Sequence, residues 1–189
     1  MLPTGKRIFV AGYSQSRFGK LGPVSIADIV HKALTELTAE TRIPLDAVDT
    51  ASVGGLLTTV LGNQTLLAGL VASERGLEGK PIEAVENACA SGGQAIVSVV
   101  QKMLLGGGDV GLALGIEKMR DDEGRADGVA IGKALGTASH PNDRVGKTFV
   151  FPHIFASVMD QYMKAWDVTE RDLAHVPAHA GMAFVIVQH

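Results

Sequence analysis

The chain has 189 residues, 46% of them hydrophobic and 5% aromatic, with 23 glycines, a single cysteine and a formal net charge of −3. That length suits one domain with a real core, and the wealth of Gly, Ala, Val and Leu favours close-packed α/β architecture over disorder. Mild acidity without a basic cluster argues against a nucleic-acid partner, and one cysteine excludes an internal disulfide framework. No apolar run reaches membrane-span length or follows the N-terminus as a secretion signal, so a cytoplasmic protein with no membrane partner is the expectation. Without a secretory route, the Asn63-Gln64-Thr65 triplet carries no meaning as a glycosylation site.

Lys6 to Tyr13 is β-rich and predicts a strand. Ser25 is placed to cap a helix in which Ile26, Ile29, Val30, Ala33, Leu34 and Leu37 share one face, with Asp28, Lys32, Glu36 and Glu40 opposite and an end near Pro44. Ala47 to Val53, closed by Gly54-Gly55, predicts a second strand. Leu56 to Gly76 is largely apolar and predicts a helix over its second half. Ile82 to Glu86 reads as a strand, and the following Ala90 to Leu105 as a helix apolar nearly all round. Such a helix belongs between layers. Gly106-Gly107-Gly108 stops it, and Asp109 to Ile116 reads as a continuous apolar strand with both faces covered.

Alternation of strand and helix with short Gly-rich joints gives an α/β domain with a substantial parallel component, and the buried helix points to more than one sheet layer. Residues 119–147 then form a charged, Gly-rich excursion without clear period. Phe149 to Trp166 returns to helical spacing, with Phe151, Phe155, Val158, Met159 and Tyr162 on one side. Thr169-Glu170-Arg171-Asp172 resembles a capped helix start. Pro177 to His189 departs from what precedes it, and within it Phe184 to Val187 reads as a strand with no partner element. The organisation expected is a domain over 1–176 and a divergent tail over 177–189.

Three features compete as chemistry. Gly106-Gly107-Gly108-Asp109-Val110-Gly111 fits G-x-G-x-x-G formally, but it follows a helix and precedes a strand, the reverse of a dinucleotide turn. Of the six histidines, His175 and His179 are four apart, yet Pro177 lies between them and no carboxylate motif accompanies them, so no metal site is expected. His153, behind Phe151-Pro152 at a helix start, is a candidate to face a pocket. The third feature is Cys89, at a strand-to-helix break. A thiol there lies near free backbone N–H groups and the positive end of the helix dipole, which favour the thiolate. Ala88, Ala90, Ser91, Gly92 and Gly93 are small enough to let an acyl chain approach. From these residues alone, nucleophile and small core residue are equally good readings of Cys89.

The segment Val85 to Ala95, followed by Gly106 to Met119 with its Gly115-x-Glu117-Lys118-Met119 ending, resembles the nucleophile region of thiolases of the sterol-carrier-protein-X type. The opening VAGYSQSRFGK, the helix after Ser25 and the Tyr162 to Leu173 stretch are similar in order and spacing, so the resemblance covers residues 6 to 176. It implies the N-terminal half of a thiolase-like fold in αβαβα layers, with a mixed sheet and a buried helix after the nucleophile. It further implies acyl transfer to or from coenzyme A through a thioester on Cys89, with no metal or redox cofactor and an acyl-CoA substrate. Ala88 to Gly93, with His153, would then bind the acyl group, and a dimer or tetramer is expected, with Leu56 to Leu70 at the contact. The histidine of a late G-H-P-x-G motif and the second cysteine that complete the thiolase cycle have no counterpart here; His140-Pro141 lacks the flanking glycines. Little turnover by this chain alone is therefore expected. The competing readings are a non-catalytic subunit that pairs with a thiolase-type partner, and a related ketoacyl synthase or hydroxymethylglutaryl-CoA synthase-like enzyme.

Overall fold

A computed structural model of the chain describes residues 7–16, 23–121 and 123–175. Its elements are, in order, α1 (Ile26–Thr41), β1 (Thr50–Gly54), α2 (Thr58–Leu61), α3 (Leu67–Ala72), β2 (Ile82–Val85), α4 (Ser91–Leu104), β3 (Gly111–Gly115), α5 (Gly128–Gly136), α6 (Val150–Trp166) and α7 (Glu170–Leu173). Single 3-10 turns stand at Leu45–Ala47 and Pro141–Arg144. The chain divides into two compact units, Met1–Ala134 and Leu135–His189.

The first unit is an α/β layered structure. Its three strands are parallel, in the order β2-β1-β3, with Ser52 of β1 registered against Glu83 and Ala113. Side chains alternate across a strand. Ala51, Val53 and Leu112 therefore point to one face, where they form the core with Ile26, Val30 and Leu34 of α1 and Leu67 and Val71 of α3. The other face carries α4, which buries Ser91, Ala95 and Val99. Lys102, late in α4, pairs with Glu83 of β2 at 3.1 Å and reaches the Ala51 carbonyl at 3.3 Å, fixing the far end of the helix to the sheet.

The α1 expectation holds in detail. The Ser25 hydroxyl accepts from the Asp28 N–H at 3.0 Å while the Asp28 carboxylate accepts from the Ser25 N–H at 3.2 Å, a reciprocal cap. The helix ends at Arg42, in the left-handed conformation. Two close approaches explain glycines in the sheet. A methyl group at Gly54 would overlap the Ser91 carbonyl, and one at Gly111 would overlap Val99, so both glycines let α4 lie close to the strands.

Several expectations are corrected. The described part of the first predicted strand, Arg7–Tyr13, forms no strand; Phe9 is 74% and Val10 90% exposed. β propensity acts where a neighbouring strand supplies hydrogen bonds, and none pairs with this segment among the described residues. The strand expected from Ala47 begins at Thr50, because Pro44 starts a tight turn that consumes Leu45 to Ala47. The helix expected over the second half of Leu56 to Gly76 is α3, and the first half adds the short α2, parted from it around Asn63 and Leu66, both with positive φ. β3 has the core on one face and α4 on the other, as expected, but it stands at the edge of the three-stranded sheet, and Gly111, Ala113 and Gly115 are exposed there. α4 buries one side, leaving Ile96 58% exposed. The excursion over 119–147 holds α5, whose start is capped by the Asp127 carboxylate, which accepts from Val129 and Ala130.

In the second unit α6 has the expected spacing, with Phe151 and Phe155 stacked at 6.4 Å between centroids, but Phe155, Val158, Met159 and Tyr162 are exposed. α7 starts in the expected capping box of Thr169 and Asp172. The tail over 177–189, including the possible strand at Phe184 to Val187, lies outside the described residues, as do His179 and His189. Among the described residues no helix is long and apolar enough to cross a membrane, and no three His, Cys, Asp or Glu residues cluster as metal ligands.

Candidate active site

The carboxyl ends of the three parallel strands converge on one rim of the sheet, the side on which open α/β sheets place their ligands. β2 ends at Val85, and the chain turns through Glu86, Asn87 and Ala88 to Cys89 before entering α4. The turn is held from within. The Ser91 hydroxyl accepts from the Asn87 N–H at 2.9 Å and donates to the Ala88 carbonyl at 2.7 Å. The Ala90 and Ser91 N–H groups close further bonds to Asn87 and Ala88 at 2.9 and 3.1 Å, and the Glu86 carboxylate accepts from the Ala88 N–H.

These bonds hold Ala88 at φ 47°, in the left-handed region that a residue with a Cβ enters at a cost of about 1 kcal/mol or more. The consequence is a sharp turn that puts Cys89 at its tip, exposed. Among the described residues it takes no part in the core. No side chain caps the start of α4. Helix geometry leaves its first N–H groups without intrahelical partners, and those of Gly92 and Gly93 find none among the other described residues. A Cβ at Gly92 or Gly93 would meet nothing within 4 Å, so the surface beside these two residues is open. An exposed thiol, two unpartnered N–H groups and a helix dipole together suit attack on a carbonyl and stabilisation of the oxyanion that results.

Of the residues singled out in the sequence, Ala88 to Gly93 thus come together around Cys89, with distinct places. Ser91 is buried, its hydroxyl committed to the turn, so it positions the thiol. Ala90, Gly92 and Gly93 are exposed beside it. His153 is exposed on α6, in the second unit. The G-x-G-x-x-G stretch is the stop of α4 and the lead into β3, as its context required.

One contributor escaped the sequence reading. The Glu117 carboxylate, just past β3, accepts from the Leu56 and Leu57 N–H groups at 3.1 and 2.9 Å, just before α2. The Thr58 hydroxyl donates to the Ile116 carbonyl at 2.9 Å and accepts from the Lys118 N–H at 3.0 Å. The Glu117-Lys118 pair therefore staples the end of β3 to the segment after β1 and stiffens the rim on which Cys89 sits. The Gly115-x-Glu117-Lys118-Met119 ending marked the pair in the sequence without showing what it bonds to.

Comparison with known proteins shows the family. The family described as the thiolase N-terminal domain matches residues 8–180. The acetyl-CoA acetyltransferase of Methanothermobacter thermautotrophicus is 30% identical over 169 residues, covering 89% of this chain and 43% of that protein. The acetyl-CoA acetyltransferase of Methanocaldococcus jannaschii is 29% identical over 167 residues, covering 88% and 41%. Human sterol carrier protein 2 is 34% identical over 119 residues, covering 61% of this chain and 21% of that protein. The chain thus spans about two-fifths of the length of the acetyltransferases it matches. The match over residues 8–180 makes the chain a member of the thiolase family, corresponding to that family's N-terminal domain.

Proposed function

We propose that this chain is the acyl-holding part of a thiolase-type acyltransferase acting on acetyl-CoA or a 3-ketoacyl-CoA. The observation that carries the proposal is the exposed Cys89 at a turn locked by Ser91, with the open N–H groups of Gly92 and Gly93 beside it. In the reaction the Cys89 thiolate attacks the thioester carbonyl. The oxyanion that forms takes hydrogen bonds from the backbone donors, then collapses, and coenzyme A leaves as its thiolate and is protonated. The acyl group remains as a thioester on Cys89, a good leaving group for the second transfer. Handing it on to a carbon nucleophile or back to coenzyme A needs a base and a proton carrier, for which the thiolase scheme uses a later histidine and a second cysteine. Neither has a counterpart in these residues, so full turnover requires further polypeptide.

The same reading places the protein in the cytoplasm, in lipid metabolism, as a dimer or tetramer, with no metal or redox cofactor. The names of the relatives, acetyl-CoA acetyltransferase and sterol carrier protein 2, support the acyl-CoA substrate and the lipid setting.

Incubation with acetyl-CoA, followed by intact and peptide mass spectrometry, tests the proposal. The expected result is a hydroxylamine-sensitive acetyl adduct on Cys89, absent from Cys89→Ser. It should form roughly 10²-fold faster than on the urea-unfolded chain, the scale of oxyanion stabilisation. A folded chain acylated no faster than the unfolded one would instead make it a non-catalytic thiolase-fold subunit.

A further inference from the structure

The turn between β2 and α4 is closed by the Ala90 N–H, which donates to the Asn87 carbonyl at 2.9 Å, and Ala88 is the first residue inside it, at φ 47°. Glycine fills such a place without steric cost, whereas here the residue carries a Cβ. A backbone dihedral is held when the peptide groups on both sides of it are held. After Ala88, its carbonyl accepts from the Ser91 hydroxyl at 2.7 Å and from the Ser91 N–H at 3.1 Å. Before it, the Ala88 N–H has one partner among the described residues, the Glu86 carboxylate. Glu86 is exposed and makes no ion pair among the described residues, so this bond is the one that orders its side chain.

We propose that Glu86 is the positioning residue of this site, its carboxylate holding Ala88 in the left-handed conformation so that the Cys89 thiol is carried beside the N–H groups of Gly92 and Gly93. The inference rests on the acyl-transfer reading of Cys89 and names the side chain that prepares the thiol for it. The peptide group before Ala88 is fastened at its carbonyl end by Ala90 and at its N–H end by Glu86. One hydrogen bond lets such a group pivot about the contact; a second at the other end fixes its plane. Without Glu86, Ala88 escapes its steric cost by turning to negative φ, and the swing is passed to Cys89, the next residue. A displacement of about 1 Å at a reacting group costs on the order of 10²-fold in rate, so even part of that swing is felt. A carboxylate suits the task, being an acceptor whose charge-assisted bonds are stronger than neutral ones. The positive start of α4 offers a rival reason for a carboxylate here. The two differ in what they need. The helix dipole needs the charge, whereas the turn needs an acceptor oxygen, and needs it only while residue 88 carries a Cβ.

The test compares the rate of Cys89 acetylation by acetyl-CoA in the 189-residue chain, in Glu86→Ala, in Glu86→Gln and in Glu86→Ala combined with Ala88→Gly. The intraresidue Overhauser effect between the amide and α protons of Ala88, strong at positive φ, is followed by NMR. In Glu86→Ala that effect weakens and acetylation slows about tenfold, the scale of the steric cost of a left-handed alanine. Glu86→Gln, whose amide oxygen accepts the same N–H, keeps the effect and stays within about threefold of wild type. Adding Ala88→Gly to Glu86→Ala brings the rate back to within about twofold, because glycine takes positive φ unaided. Should Glu86→Ala fail to fold, Glu86→Gln and the double variant decide by the same rates. An Overhauser effect unchanged in Glu86→Ala overturns the proposal, as does a full acetylation rate despite its loss. So does a rate that falls as far in Glu86→Gln, the mark of charge acting on α4, or one that Ala88→Gly does not restore. A wild type acetylated no faster than the unfolded chain overturns the acyl-transfer reading and this role with it, and that shows before any variant is compared. Failure in the variants alone overturns the role of Glu86 and leaves the acyl-transfer reading standing.

Discussion

On the side of α4 that faces the sheet, Ser91, Ala95 and Val99 are buried, while away from it Ile96, on the flank towards the edge of β3, and Val97, behind, stand 58% and 47% exposed although they are just as apolar. The helix is the same; what differs is whether the chain places anything against it. The inner side was prepared by glycines at Gly54 and Gly111 that let the backbone of α4 approach the strands, and the outer side by nothing in these residues. Burial is a property of the neighbour as much as of the residue. A helix apolar nearly all round, in a chain that spans two-fifths of its relatives, states that a second covering layer is called for.

The sharpest way to break this contrast is Gly54→Ala. The added methyl overlaps the Ser91 carbonyl, and since one is fixed to its Cα and the other is backbone, neither can rotate away. We expect a loss of ~3 kcal/mol in denaturant unfolding, at the upper end for overpacking. Acylation of Cys89 should fall with it, since Ser91 would no longer meet Asn87 and Ala88 in the same geometry. An unchanged unfolding midpoint would mean that α4 does not lie on β1 as described.

Val99→Ala attacks the same side by removal. Val99 is buried against Gly111, which has no side chain to fill the gap, so a loss of about 2 kcal/mol is expected. The matching change on the outer side, Ile96→Ala, should stay within about 0.5 kcal/mol in the chain by itself. It becomes costly only when something covers that side. Measuring both variants alone and with a bound partner turns the comparison into a number. A large effect of Ile96→Ala in the free chain would show that the outer side is already covered.

The same distinction explains what could be seen in the sequence. α1 was legible because its cap, its stripe and its polar face are all local; Ser25 and Asp28 are three residues apart. α6 was equally legible as a helix, but the spacing of Phe155, Val158, Met159 and Tyr162 could not tell that they face solvent. The strand expected around Arg7–Tyr13 failed for the complementary reason, since strands are made by partners far away in sequence. α5 was missed because glycines at 128, 132 and 136 mask its period. At the site, Cys89 and the small residues around it stood out as a local pattern. The left-handed Ala88 did not, because alanine gives no sign of positive φ. Nor did Glu117, whose bonds to Leu56 and Leu57 join residues about sixty positions apart.

The smallest effect concerns the strap that keeps the inner side of α4 in register. The Asp49 carboxylate, just before β1, accepts from the Asp109 N–H at 2.8 Å and the Val110 N–H at 2.9 Å, fixing the turn that follows α4. The Val110 bond and then the Asp109 bond hold its carboxyl below the ordinary aspartate value of 3.8, against a slight opposing effect of burial. A depressed folded value means that the stabilisation is fully present above the unfolded value and is lost as pH falls below it, through the folded value. Wild type should therefore lose stability relative to Asp49→Asn as the pH drops below about 4, with the two curves converging in acid. Amide shifts of Asp109 and Val110, followed by NMR, should titrate at the depressed value. If the gap between the curves stays constant through that range, the carboxylate charge is not what holds the turn, and the register of α4 on the sheet rests on Gly54 and Gly111 alone.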